Sequence, residues 1–316
     1  MKKSIVLIDY LAEKGHIPFV KKIISILEPK YDLTFISSED YCRDINYNKS
    51  VPIDNRLFNY SNRKEFIINQ YKLIRKSKTL LDLNSIVIVL AFENISYSLA
   101  TKFWNHRHTY LYIHNNLEKK RLSIFFLKFI NRKVNFLVFE EYIKIYMDKS
   151  FGNKSYLLPH PLNYYQKHSS KESDYIFAIN ADIKTEEFGY IKEVAYKENL
   201  KIYVKNSKIE EHKSANLIIK NYFHDYEEKL RNAKYVVINA PYNYRISGVL
   251  YECLSLGKRI IFTGKRGILY DKMINNYPEA FYDIKNLKET KRYSSINFLK
   301  EHSDNYILNN FNQIFK

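Results

Sequence analysis

The sequence predicts an α/β protein built of two Rossmann-like, doubly wound domains with an interdomain cleft, and three observations carry that expectation. At 316 residues the chain exceeds what one hydrophobic core usually organises, so about two domains of roughly 150 residues each are expected. Short β-branched and aromatic runs alternate with longer helical patterns, the rhythm of a parallel sheet covered by helices on both faces. That rhythm stops at "LPHPLNYYQKHSSKESD" (Leu158–Asp174), where two prolines and a polar tract mark a linker, and then restarts. The expected organisation is a first domain over 1–160, a linker over 161–174, a second domain over 175–295 and a closing helix over 296–316.

In the first half the candidate strands are Ser4–Tyr10, Asp32–Ser38, Ser85–Phe92, Thr109–Asn115, Val134–Glu140 and Ser155–Leu158. Each is short, apolar and bounded by turn or helix signals. Helical patterns fill the gaps at Pro18–Leu27, whose proline suits a first turn, and at Lys64–Lys76, Tyr97–Trp104, Lys119–Ile130 and Tyr142–Lys149. In the second half strands are expected at Tyr175–Asn180, Lys201–Val204, Asn216–Lys220, Tyr235–Ala240, Arg259–Thr263 and Ala280–Asp283. Helices are expected at Glu186–Lys197, Asp225–Ala233, Gly248–Leu256 and Ile268–Asn275, with one more over Ile296–Phe315.

Composition narrows the class. With 46% hydrophobic and 27% charged residues the chain is globular rather than disordered. Two cysteines, Cys42 and Cys253, are too few for a disulfide framework. The run Ile5–Ile8 is too short for a signal peptide, and no stretch approaches the roughly 20 apolar residues of a membrane span, so a cytoplasmic location is expected. A net charge of +17 points to an anionic partner. The same lysine-rich bias follows from A/T-rich codons, so charge alone does not name that partner.

Glycine is scarce, yet four of the seven (Gly248, Gly257, Gly264, Gly267) fall within twenty residues. They lie in and after "APYNYRISGVLYECLSLGKRIIFTG" (Ala240–Gly264), in the strand-to-helix part of the second domain where sheets of this kind bind ligands. Ser247 suits an N-cap. The helix N-terminus at Gly248, with Arg245 beside it, suits a diphosphate. On a helical wheel Val249, Leu250, Cys253, Leu254 and Leu256 form one apolar arc and Glu252 lies at its edge, where its carboxylate can accept hydrogen bonds from hydroxyls. Zinc spacings, a Walker loop, GxSxG and an Asp-x-Asp pair are all missing from the sequence, which argues against the chemistries those motifs serve.

The segment "SGVLYECLSLGKRII" resembles the donor-binding segment of glycosyltransferases with the GT-B fold, especially family 4. The likeness extends through "EKGH" in the first loop, "YIHNN" at a strand end and "LLPHPL" at the linker. It implies that the closing helix crosses back to the first, acceptor-binding domain. It also implies that Glu252 holds the nucleotide ribose, that Ser247 and Gly248 contact the diphosphate, and that Arg245 and Lys184 (in "NADIK") supply phosphate cations. By the same resemblance His114 faces the transferred sugar, and Gly15 and His16 contact donor phosphate or acceptor. Family 4 enzymes often carry a second glutamate eight positions earlier. Here that position is Tyr244.

The expected activity is therefore transfer of a sugar from a nucleotide sugar to a hydroxyl of a glycan or lipid-linked acceptor, with retention, in surface polysaccharide or glycoconjugate assembly. No cofactor and no metal are expected, since GT-B enzymes usually do without the metal clamp. A nucleotide-sugar 2-epimerase and a catalytically inactive GT-B-like binding subunit are the alternatives. Nucleic acid is not an expected partner, because no nucleic-acid motif organises the lysines and tyrosines. An anionic membrane surface is. Residues 1–160 carry 26 Lys+Arg against 15 Asp+Glu, whereas residues 161–316 carry 25 against 19. Within the first half, "KKRLSIFFLKFINRK" (Lys119–Lys133) sets basic clusters around an expected apolar face of Leu122, Phe125, Phe126, Phe129 and Ile130.

Overall fold

A computed structural model describes residues 2–82, 84–103, 108–162, 173–239, 241–283 and 293–316. The chain divides into two compact units, Met1–Asn163 with Glu301–Lys316 and Tyr164–Lys300. Most of the expected linker and the strand end Ala240 lie outside the described residues.

The first unit contains β1 (Ser4–Asp9), α1 (Ile17–Leu27), β2 (Asp32–Ser38), α2 (Glu39–Ile45), β3 (Ser50–Ile53), α3 (Arg63–Lys78) and β4 (Ile86–Ala91). It continues with α4 (Asn94–Thr101), β5 (Thr109–Tyr112), α5 (Arg121–Phe126), β6 (Asn135–Val138), α6 (Glu141–Ser150) and β7 (Ser155–Leu157). Among the described residues its sheet runs β3-β2-β1-β4-β5-β6-β7, every pair parallel. Strand β4 is buried along its whole length, as a central parallel strand covered on both faces must be. Helix α1 begins with Pro18 in its first turn and buries Phe19, Val20, Ile23, Ile24, Ile26 and Leu27. Truncating a fully buried member such as Ile23 to alanine costs about 2–5 kcal/mol.

The second unit contains β8 (Ser173–Ile179), α7 (Glu186–Lys197), β9 (Lys201–Lys205), β10 (His212–Lys213), β11 (Leu217–Lys220), α8 (Tyr226–Asn232) and β12 (Ala233–Ile238). Then come α9 (Gly248–Ser255), β13 (Arg259–Phe262), α10 (Ile268–Asn276), β14 (Phe281–Tyr282) and α11 (Ile296–Glu301), whose last residue falls at the division. Its sheet runs β10-β11-β9-β8-β12-β13-β14 among the described residues, with only the β10–β11 pair antiparallel. Ile176, Phe188, Ile191, Val204 and Val237 sit in its core. The remaining helix, α12 (Asp304–Ile314), belongs to the first unit. There Asp304 accepts from the Lys22 ammonium at 2.8 Å, Asn312 accepts from the Tyr31 hydroxyl at 2.6 Å, and the Phe315 ring lies 5.0 Å from Tyr110.

Three expectations need correction. The helix expected over Ile296–Phe315 is two helices, because Ser303 takes extended backbone and caps α12 by accepting from Tyr306 N. The helix expected over Lys119–Ile130 is only α5, followed by a 3-10 turn at Leu127–Phe129. Helix α2 and strand β3 were not expected. In β3, Pro52 is tolerated because among the described residues the strand pairs only with β2 and lies at the sheet edge, where a missing N–H costs no ladder bond.

Candidate functional site

Both sheets reverse their winding direction once, between β1 and β4 in the first unit and between β8 and β12 in the second. At such switch points the loops leaving the carboxyl ends of the strands diverge and open a crevice. The loop after β1 carries Gly15 and His16, the loop after β8 carries Lys184, and the loop after β12 carries Tyr244, Arg245 and Ser247. The sequence-predicted residues thus form two constellations, one in each unit.

In the second unit Ser247 is extended (φ −114°, ψ 110°) and its Oγ accepts from Leu250 N at 3.3 Å, so it N-caps α9. Gly248 is exposed, and a Cβ added there would meet nothing within 4 Å. Glu252 lies four residues on, and so on the same helical face. It is half-buried, while Leu250, Tyr251, Cys253 and Leu254 point into the core. Tyr251 therefore takes the core position expected of Leu256, which is half-buried like Val249. Burial pushes the Cys253 thiol far up, which makes it an inert core residue. Arg245 is exposed with its guanidinium 4.6 Å from the centre of the Tyr242 ring, and Tyr244 is half-buried.

The glycines after this helix have local causes. Gly257 is left-handed (φ 65°) and ends α9 in a Schellman motif, with Lys258 N donating to Cys253 O at 2.9 Å and Gly257 N to Leu254 O at 3.2 Å. At Gly267 any Cβ would collide with the backbone of Tyr242. That close approach lets Leu269 N donate to Tyr242 O at 3.1 Å and Ile268 N to Asn243 Oδ1 at 3.3 Å. The start of α10 thereby clamps the loop that carries Arg245. Lys184 is exposed in the loop after β8, which is held by Lys184 N donating to Asp182 Oδ1 at 3.0 Å and by Thr185 capping α7.

In the first unit the loop after β1 is organised by Asp9, a fully buried carboxylate. Its Oδ1 accepts from Leu11 N at 3.0 Å and Ala12 N at 2.9 Å, holding Ala12 in the left-handed region at φ 50°. Its Oδ2 lies 3.8 Å from His16 Nδ1. The His16 ring is 5.0 Å from that of half-buried His114. Phe19 and Phe139 each present an edge to His114 at 4.9 Å. His160, from the segment after β7, lies 5.4 Å from Phe19 and 5.1 Å from Phe139. Its Nδ1 is buried, and burial, followed by the neighbouring charge of His302, holds its pKa down at about 3. Burial also lowers His302, whose Nδ1 meets His160 O at 2.8 Å.

Asp9 was missed because an acid ending a strand reads as the strand's boundary; its signal was the Asp–x–x turn spacing to Ala12. Asn116 was missed as well. It accepts from His114 N at 3.2 Å and donates to Asn94 Oδ1 at 2.7 Å and Phe92 O at 3.2 Å, fixing the loop after β5 from a buried position. In the second unit Glu187 accepts from Gly264 N at 2.8 Å.

No protein-family profile matches the sequence, and no curated protein does. Solved structures do match. A glycosyltransferase from Rickettsia africae ESF-5 aligns with TM-score 0.58 at 13% identity, covering 100% of this chain and 98% of its own. The UDP-GlcNAc 2-epimerase from Neisseria meningitidis bound to UDP-GlcNAc aligns with TM-score 0.57 at 10% identity, covering 99% and 91%. The glycosyltransferase of kitacinnamycin aligns with TM-score 0.56 at 9% identity, covering 99% and 94%. At these identities the likeness establishes architecture. The chain has the GT-B fold, with two Rossmann-like units, a fold that houses both glycosyl transfer and nucleotide-sugar epimerisation.

Proposed function

We propose that this chain is a cytoplasmic glycosyltransferase that moves a sugar from a nucleotide sugar to a hydroxyl of a glycan or lipid-linked acceptor, in surface polysaccharide or glycoconjugate assembly. The observation that carries the proposal is the β12–α9 junction. An exposed helix N-terminus, an arginine two residues before its cap and a carboxylate one turn inside it coincide at a switch point. The amides at Gly248 and the guanidinium of Arg245 suit a diphosphate, and Lys184 adds charge from the neighbouring strand's loop. Glu252 suits the ribose hydroxyls. When the bond from the sugar C1 to the diphosphate breaks, negative charge collects on the leaving nucleoside diphosphate, and preorganised cations and amides stabilise it without reorganising. These groups do that work without a divalent metal, and turnover is expected to survive chelation.

Two stereochemical courses fit the fold. The resemblance to family 4 implies retention. The Asp9–His16 pair favours a displacement with inversion, in which His16 takes the proton of the acceptor hydroxyl while its oxygen bonds to C1, and Asp9 stabilises the imidazolium. The test is to incubate the protein with nucleotide sugars and candidate acceptors, follow release of nucleoside diphosphate, and read the product anomer by NMR. Transfer in chelator supports the proposal. A change of configuration at C2 without transfer would assign the chain to epimerisation. Nucleotide binding with neither reaction would favour a binding subunit.

A further inference from the structure

The helices beside β4 and β5 carry a surface that the chemistry above does not use. Helix α4 and the α5 turn lie side by side, joined where Asn94 donates to Ser123 O and Ser98 to Phe126 O. Their inner sides are buried through Tyr97, Ser123, Leu127 and Ile130. Their outer sides are apolar as well. Phe103 is 87% exposed, Leu122 64%, Leu99 51%, Phe125 49% and Phe129 47%. The apolar face expected over Lys119–Lys133 is thus split: Ile130 packs inward, Phe126 is half-buried, and Leu122, Phe125 and Phe129 face out.

Cations surround these side chains. Lys119, Lys120 and Arg121 precede them, Lys128, Arg132 and Lys133 follow or interrupt them, and all are exposed. Lys102 sits with its ammonium 5.7 Å from the Phe103 ring centre. The only acid between Leu117 and Lys133 is Glu118. Neighbouring α3 extends the charge with Lys72, Arg75, Lys76 and Lys78, all exposed. Clustered apolar exposure of this kind marks an interaction surface.

We propose that this face of the first unit docks on an anionic lipid bilayer, with Leu122, Phe125, Phe129, Leu99 and Phe103 entering the acyl boundary and the surrounding lysines and arginines meeting lipid phosphates. Charge selects the occupant. A rim of one sign repels a second copy of the same face, whereas a negative surface rewards it, and aromatic side chains flanked by cations are suited to the depth where headgroup meets acyl chain. Attachment is peripheral: no helix among the described residues is long and apolar enough to cross a membrane. The proposal stands on this surface alone and does not depend on the transferase reading.

The test is flotation of the full chain with vesicles of phosphatidylcholine alone or with phosphatidylglycerol. Two variant sets are needed, Phe125→Ser with Phe129→Ser, and Lys120→Gln with Arg121→Gln, Lys128→Gln and Lys133→Gln. All these positions are exposed, so circular dichroism should match the parent. Binding is expected only to the anionic vesicles, reduced in about 0.5 M salt, where screening acts over a few ångströms, and weakened about tenfold or more in each set. No binding at low salt overturns the proposal. So does binding unchanged in both sets. Self-association of the parent that is abolished by the phenylalanine changes, with vesicle binding intact, would make the face an interface between copies instead.

Discussion

The two switch points share one reversal of parallel strands, with an added antiparallel edge strand, β10, in the second sheet, and differ in almost everything else. In the first unit the loop after β1 surrounds a buried carboxylate with imidazole and phenyl rings, and Asp9, His16, His114 and Phe19 form a partly desolvated cluster. In the second unit the loops after β8 and β12 leave Lys184 and Arg245 exposed, and Gly248 is exposed at the N-terminus of α9. Parallel sheets supply the crevice in both cases, and loop residues decide the chemistry it offers. A half-buried imidazole beside a buried carboxylate suits the proton transfer of the inverting course proposed above. An exposed helix end with an arginine beside it suits the anion proposed for it.

Removing one function from each unit should separate them. The largest expected effect is that of His16→Ala, which in the inverting course lowers kcat by about a hundredfold to ten-thousandfold and leaves donor affinity near the parent's. Steady-state kinetics with the donor varied checks it, and a fall below about tenfold would leave retention as the course. Next come Arg245→Ala and Glu252→Ala. Losing a hydrogen bond to a charged group costs about 1.5–3 kcal/mol, so each should weaken nucleotide binding roughly 10-fold to 150-fold in calorimetric titration. Unchanged affinity in a folded Glu252→Ala variant would remove that carboxylate from the site.

A third prediction concerns pH. The unfolded chain protonates His160 near 6.5, whereas the folded chain keeps it neutral down to about 3. Its contribution is therefore complete above pH 6.5 and falls away as the pH drops from 6.5 towards 3. Discounted for the part of the residue that reaches solvent, the loss by about pH 4 is on the order of 1–2 kcal/mol. Urea unfolding across that window should show His160→Gln with a flatter profile than the parent. The smallest effect belongs to Ser247→Ala, where the lost N-cap costs about 1 kcal/mol and confines its damage to the second unit.

Much of this contrast was legible in the sequence, for definable reasons. The glycine cluster, the Ser247 cap and the alternation of elements are local signals, and local signals survive in a single chain. Pro18 likewise announced α1. What stayed hidden depends on partners distant in sequence. Strand β3 reads as a loop until β2 lies beside it. Asn116 reads as a turn residue until Asn94 meets it. Asp9 reads as a boundary until His16 folds back over it. The break at Ser303 was readable, since a serine followed by an aspartate is an N-cap signal, but the apolar pattern running through it masked the interruption. The outward turn of Leu122, Phe125 and Phe129 could not be separated from the inward turn of Ile130 by periodicity, because a short helix followed by a 3-10 turn changes phase within a few residues.

The central claim is that the β12–α9 junction binds a nucleoside diphosphate, and thermal unfolding in a panel of nucleoside diphosphates and nucleotide sugars tests it most directly. A ligand at 100-fold its dissociation constant adds about 2.7 kcal/mol of stability. At least one member of the panel should therefore raise the transition temperature of the parent, and Arg245→Ala at the same ligand concentration should lose most of that rise. No response to any member, or an undiminished response in Arg245→Ala, would contradict the account.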